Sequence, residues 1–199
     1  MAAVLLRAVP WPAVSGITAV AVVTGAGGFA WPGGAQILFP IAFALLAGAA
    51  AFVLDEPASA VVDVTPTGRA RRTAVRALAL LVPLGAGTAL VLAGALRAVK
   101  LPWPAVGLAL AGSVLLGFAI ACVARRYSGE PGTQASAAAA FVLIIPGFLP
   151  FVAQWVRPFP VTGPHPGGPS STTFWSIAGC VCLAAIAASV PELRRRRSP

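Results

Sequence analysis

The residues that could do chemistry are few in this 199-residue chain: three cysteines, one histidine and five carboxylates. Ser15, Ser113 and Ser136 lie in apolar runs, where a nucleophilic hydroxyl would need a base beside it. The single His165 sits in a Pro- and Gly-rich stretch, so intramembrane serine hydrolysis has no base. Cys122, Cys180 and Cys182 are all in apolar surroundings, where a thiol behaves as a small hydrophobic group, and Cys180-x-Cys182 lacks the spacing of a zinc pair. Asp55, Glu56 and Asp63 fall in one segment with no histidine near them in sequence, too few for a catalytic metal centre. No G-x-x-x-x-G-K-[ST] loop is present to cradle nucleotide phosphates. We therefore expect no enzyme, with no catalytic, cofactor-binding or metal-binding residues and no cofactor in this chain.

The elements that carry these residues are those of a membrane protein. Hydrophobic residues make up 58% of the chain and charged ones only 10%, with a mean hydropathy of +0.89. Soluble domains carry about 25% charged residues. Six apolar stretches are long enough to cross a hydrocarbon core, which takes roughly 20 residues: 11–30, 36–54, 77–96, 103–124, 135–156 and 173–190. The expected fold is an all-α bundle of about six transmembrane helices in a single domain spanning 1–199. None of the six stretches contains Asp, Glu, Lys, Arg or His. Proton-coupled carriers keep such a group in the membrane, so proton antiport is disfavoured.

Charge gives the orientation. Arg7, then Arg69, Arg71, Arg72 and Arg76, then Arg125 and Arg126, and finally Arg194 to Arg197 fall on one side, 11 residues; Arg97, Lys100 and Arg157, three residues, fall on the other. Basic residues are retained in the cytoplasm, which predicts both termini there and a multi-pass protein of the cell inner (plasma) membrane. A cleaved signal is the competing reading of Arg7 and the run after it, but that run exceeds the usual apolar region of a signal and ends at Trp31-Pro32, a poor cleavage site. The net charge of +9 reads as topology, not as nucleic-acid binding, because the clusters are short and lack interleaved aromatics. Trp11, Trp31, Trp103, Trp155 and Trp175 fall near span ends, as an interfacial belt does.

Pro83, Pro146 and Pro150 interrupt the spans. The run Ile145-Pro146-Gly147-Phe148-Leu149-Pro150 should kink the fifth span, and Pro146, Gly147 and Pro150 are the candidate pathway or hinge residues. Gly85, Gly87 and Gly94 in the third span and Gly107, Gly112 and Gly117 in the fourth offer surfaces for close helix approach, without a GxxxG repeat. The segment 157–172, with five prolines and three glycines, is expected to be irregular and exposed, or to fold back into the mouth of the bundle.

Residues 55–76 are the most informative connection. Asp55 can cap a short turn opened by Glu56 and Pro57, and Ala58, Val61 and Val62 then share a face at i, i+3, i+4. Thr65-Pro66-Thr67-Gly68 breaks that helix, and Arg69, Arg72 and Arg76 recur at i, i+3, i+7 into the third span. Asp55, Glu56, Val61, Val62, Arg69, Arg72 and Arg76 are the candidate partner-docking residues, in a short amphipathic element suited to a groove on a cytoplasmic protein. A connector that only touches headgroups and fixes topology is the plainer reading of the same residues.

With six spans in about 200 residues, Leu54-Asp55-Glu56-Pro57-Ala58, Thr65-Pro66-Thr67 and the arginines after them, the chain resembles permease subunits of actinobacterial ABC exporters. The resemblance implies a soluble ATPase subunit that binds ATP on a separate chain, a coupling helix between the second and third spans, and a homodimer or a sister permease that completes the pathway. Its departure from the pattern is the short run before the first span, which leaves room for only a brief amphipathic elbow. The spans free of charge suit a hydrophobic or amphiphilic cargo. The alternative from another class is a non-transporting membrane scaffold or assembly factor that recruits a cytoplasmic partner or anionic lipid through its arginines.

Overall fold

A computed structural model describes residues 6, 8–31, 33–55, 69–97, 101–128, 130–148, 159 and 171–195. Two of its helices open the same way. α1 (Trp11–Gly27) and α5 (Trp103–Ala124) each follow a Pro-Trp-Pro sequence, with the second proline in the first turn. The fixed φ of proline suits that turn, and the amide it lacks would have had no intrahelical partner there. α2 (Gly34–Phe52) is entered through Gly33, whose φ of 83° is left-handed and available to glycine at no steric cost. That turn reverses the chain so that α2 packs along α1.

α3 (Arg69–Ala77), a 3₁₀ turn (Leu78–Leu80) and α4 (Leu81–Leu96) follow one another without a break. The tightened turn has a local cause. Pro83 lacks the amide that would reach the carbonyl of Ala79, and its ring crowds that carbonyl, so the helix winds tighter just upstream. α6 (Gly132–Phe148) and α7 (Ser171–Arg195) complete the chain. Successive helices run up and down. One end of the bundle, the basic end, gathers the C-terminus of α2, the start of α3, the α5–α6 connection and the C-terminus of α7. Among the described residues every regular element is helical.

Four helical segments are long and apolar enough to cross a membrane: Gly34–Phe52, Thr73–Leu96, Trp103–Ala124 and Ser171–Ser189. Trp11–Gly27 and Gly132–Ile145 are apolar but shorter. Among the described residues the chain is thus an α-helical bundle with six apolar helices, four of them of spanning length.

Burial ranks the helices. In α2 and α5, 61% of the apolar window is buried within the protein, against 28% for Thr73–Leu96 and 11% for Ser171–Ser189. α2 and α5 are therefore the central pair, and the other two present most of their apolar surface outward, as lipid-facing helices do. The central pair meets closely at Gly117, where an added Cβ would strike the main-chain carbonyl of Ala47. Gly112 does the same for the Trp175 indole, Gly87 for Leu110 and Leu46, and Gly94 for Trp103. Gly85 and Gly107 face open space. Four of the six glycines singled out in the sequence are thus contact points between helices.

The tryptophan expectation is corrected in part. Trp175 is 1% exposed and belongs to the core, edge-on to Phe174 at 5.0 Å and to Phe159 at 6.4 Å. The ring sits inside because Gly112 leaves a hollow for it on α5. From Phe159 the aromatic contacts continue through Phe43 at 6.1 Å, Phe39 at 5.8 Å and Phe29 at 5.7 Å, and the Arg97 guanidinium lies 4.9 Å from the Phe29 ring centre. Trp31 remains exposed near the end opposite the basic one, and Trp155 lies outside the described residues.

The helix continues upstream of the third apolar stretch: Arg76, 2% exposed, lies on α3 one residue before that stretch begins.

Candidate functional site

The polar groups that the fold brings together lie at the basic end. Asp55, just beyond α2, is 8% exposed, and its Oδ1 accepts a hydrogen bond of 2.6 Å from the amide of Gly132, the first residue of α6. First-turn amides have no partner within their own helix, so a carboxylate from elsewhere in the chain fills the role of a cap. Glycine at 132 is what admits it: an added Cβ would come within 2.5 Å of Asp55 Oδ2 and 2.6 Å of the Phe52 ring. Arg76 closes the other side. Its Nη1 donates to the main-chain oxygen of Asp55 at 3.1 Å and, more weakly, to that of Leu54 at 3.4 Å. These carbonyls end α2, where the helix itself supplies no donor. A further contact joins α5 to α3: Arg125 Nη1 donates to Thr73 Oγ1 at 3.1 Å.

The consequence is mechanical. Asp55 is the last described residue before 56–68, and α3 is the first element after it. Asp55 is bonded to α6, and Arg76, two turns into α3, is bonded back to Asp55. Four helices, α2, α3, α5 and α6, are linked by side chains within this small region.

Electrostatics at Asp55 are decided by burial. Loss of water pushes its carboxyl above the usual carboxylate range, with the Gly132 amide opposing, Glu130 adding to the rise and Arg76 opposing. A carboxyl raised in the folded state stabilises the fold fully below its unfolded value of 3.8 and loses that contribution as pH rises through the folded value. Asp55→Asn keeps an oxygen for Gly132 and carries no charge. The expected outcome is that thermal unfolding in mild detergent finds the variant at least as stable as the parent at about pH 7, with the gap closing toward about pH 4. A parent more stable than the variant at neutral pH would mean that attraction to Arg76 outweighs burial.

At the opposite end a small pocket is lined by Gln36, Phe39, Pro40, Phe43, Val106 and Phe159, among others. Pro40 lies inside α2 and removes the amide that would bond the Gln36 carbonyl, so this wall has an interrupted ladder. Among the described residues no three His, Cys, Asp or Glu side chains gather to hold a metal ion.

Comparison with protein families, with characterised proteins and with solved structures finds no match for this chain. The site must be argued from its own residues.

Of the docking residues expected from sequence, Asp55 and Arg76 face the interior and bond the bundle together, so they cannot themselves form an exposed docking surface. Arg69 and Arg72 lie on α3. Glu56, Val61 and Val62, and with them the expected amphipathic helix, lie outside the described residues. Of the hinge residues, Pro146 and Gly147 are in α6, which stays helical to Phe148, and Pro150 lies outside the described residues. Sequence reading missed three residues here. Gly132 carried a signal, a Pro-Gly pair opening an apolar run, as did Pro40, a proline within a span. Thr73 carried none.

Proposed function

We propose that this chain is a permease subunit of an ABC-type transporter, which exports a hydrophobic or amphiphilic substrate while ATP is hydrolysed on a separate soluble ATPase. All six apolar helices cross the membrane, both termini are cytoplasmic, and the basic end is the cytoplasmic one, in keeping with the distribution of arginines and lysines. The shorter helix Trp11–Gly27 crosses through a locally thinned bilayer or with help from flanking residues. A second copy or a sister permease completes the pathway.

The observation that carries this reading is the double attachment of the segment between α2 and α3. A subunit that takes its energy from a partner needs a contact whose displacement reaches the membrane helices. A displacement of 56–68 pulls on Asp55 and Arg76, and through Asp55 on the first turn of α6. A loop that served topology alone would need no buried carboxyl and guanidinium at its roots, since each is costly to take out of water. The apolar lining around Phe39, Phe43 and Phe159 suits an apolar cargo.

The test is purification of the full chain from its native membranes in mild detergent. A nucleotide-binding subunit is expected to come with it, and replacing 56–68 by an equally long Gly-Ser segment should remove that subunit while the bundle stays folded. Recovery of the chain with no ATPase, or unchanged capture after the replacement, would count against the transporter.

A further inference from the structure

The Pro-Trp-Pro that opens α1 recurs at α5 as part of a longer match. Pro10-Trp11-Pro12-Ala13-Val14 is repeated as Pro102-Trp103-Pro104-Ala105-Val106, and at the same spacing Ala19, Val22 and Gly25 find Ala111, Val114 and Gly117. Eight of the sixteen pairs from 10 with 102 to 25 with 117 are identical. A shared way of starting a helix accounts for the prolines, but not for identities well inside it. The next helices match too. α2 and α6 both begin at glycine, Gly34 and Gly132, and from there Gln36, Ala42, Phe43 and Leu45 pair with Gln134, Ala140, Phe141 and Leu143. The fold keeps the register of the first pair: Val14, Thr18, Ala21 and Gly25 are the buried positions of α1, and their counterparts Val106, Leu110, Ser113 and Gly117 are all buried in α5. α4 and α7 close the two halves and share register more than residue type, with Pro83 and Leu90 buried in one and their counterparts Trp175 and Cys182 in the other.

Each half contains three apolar helices, an odd number, so the second copy runs through the bundle in the opposite direction. Val14 clusters at the basic end with Leu54 and Ala135, whereas Val106 clusters at the other end with Ala35 and Phe39. Repeats of inverted topology are an architecture in which a binding site lies between the halves and opens to either face as one half moves against the other.

The halves match in sequence but not in packing. Gly117 brings α5 against the main chain of Ala47 on α2, and Leu46 and Leu110 meet at Gly87. The counterparts of Gly117 and Ala47 are Gly25 and Ile145, yet Gly25 packs on Leu90 of α4. Those of Leu46, Leu110 and Gly87 are Ile144, Thr18 and Gly179, and a Cβ at Gly179 would meet no atom within 4 Å. So α5 is seated on α2, while α1 is not seated on α6 in the same way. The pocket at the end opposite the basic one is lined by Gln36, Phe39 and Phe43 of α2 and Val106 of α5. Gln134, Ala137, Phe141 and Val14 occupy the same positions counted from the basic end, and Phe141 is 65% exposed where Phe43 is 1% exposed.

We infer that 10–96 and 102–189 are inverted repeats, and that α1 closes on α6 as α5 now closes on α2, forming a second apolar pocket, lined by Val14, Gln134 and Phe141, that opens to the basic end. An apolar or amphiphilic molecule held at one pocket is passed to the other in this exchange. That cargo rests on the transport reading; the exchange itself needs neither an ATPase nor a second copy and is tested without them.

The experiment uses the full chain in mild detergent, with Cys122, Cys180 and Cys182 replaced by alanine. Thr18→Cys with Ile144→Cys is expected to be joined within one chain by a short thiol-reactive linker, as is Leu46→Cys with Leu110→Cys, the pair that meets at Gly87. Spin labels at Val23→Cys and Val142→Cys stand on exposed faces of α1 and α6 and leave the core intact. They should report two distances, the shorter by roughly 5 Å, since helices in contact stand about 8–10 Å apart. Failure to join residues 18 and 144 in a variant that elutes as the parent does overturns the exchange, and so does a single distance between the labels. Where the paired cysteines in the core prevent folding, the label distances decide. Two distances in a chain that captures no ATPase would strike the transport reading and leave the exchange standing.

Discussion

Gly117→Val is expected to yield no monodisperse folded protein in mild detergent, while Gly107→Val ten residues earlier on the same helix behaves as the parent does. A Cβ at 117 would overlap the carbonyl oxygen and carbon of Ala47, and these are main-chain atoms that no side-chain rotation can move aside. Relief requires α2 and α5 to separate. Both are central, so the separation would open the contacts of Leu46, Val114 and Phe118 as well, side chains that are all within 4% of full burial. Overpacking a core costs about 1–3 kcal/mol, and an unyielding backbone neighbour puts this site at or above the top of that range. Position 107 has no atom within 4 Å of a built Cβ, so the two variants share their chemistry and differ only in location. Size-exclusion profiles and unfolding midpoints that coincide for the two would show that α2 and α5 do not meet as described.

Arg76→Met should cost about 1–3 kcal/mol, the range for leaving buried acceptors without their donor. Methionine preserves much of the length and volume but no donor, so the carbonyls of Leu54 and Asp55 lose the Nη1 contact and Asp55 loses its neighbouring cation. Arg126→Met, at an exposed position, should change stability by no more than about 0.5 kcal/mol in neutral detergent. The double variant Asp55→Asn with Arg76→Met removes the stranded carboxylate, so it should recover part of the loss. Denaturant or thermal unfolding of the four proteins forms a cycle, and strict additivity would sink the coupling between these two residues. Because the same pair anchors the segment 56–68, the single Arg76 variant should also loosen capture of an ATPase partner under the transport reading.

The class of protein was legible in composition and hydropathy, since a chain with so little charge and six long apolar runs has little choice but helices. Among the described residues α6 starts three residues before its predicted span and is helical as far as Phe148. The helix of the third span extends upstream past Arg76, because a helix goes on through any residue whose side chain finds partners, whereas a hydropathy window stops at an arginine. Arg76 finds them in carbonyls 21 and 22 residues away in sequence, a separation that periodicity cannot see. Trp175 was misread for a similar reason. A tryptophan near a span end anchors to the interface by default, and only a hollow on another helix, at Gly112, reverses that preference.

By itself, then, the sequence determined the medium, the helical class and the alternation of charge, because these depend on summed transfer energies and on counts that need no knowledge of neighbours. Asp55 and the arginines of 69–76 stood out as ionisable groups at the edge of apolar runs. Which of them turn inward was decided by tertiary structure alone. Asp55 is drawn in because Gly132 offers an uncapped amide with no side chain in the way, and Arg76 because the end of α2 offers carbonyls without donors. Each needs a partner from a distant part of the chain, and burial of a charge is set by such partners, not by the residues beside it.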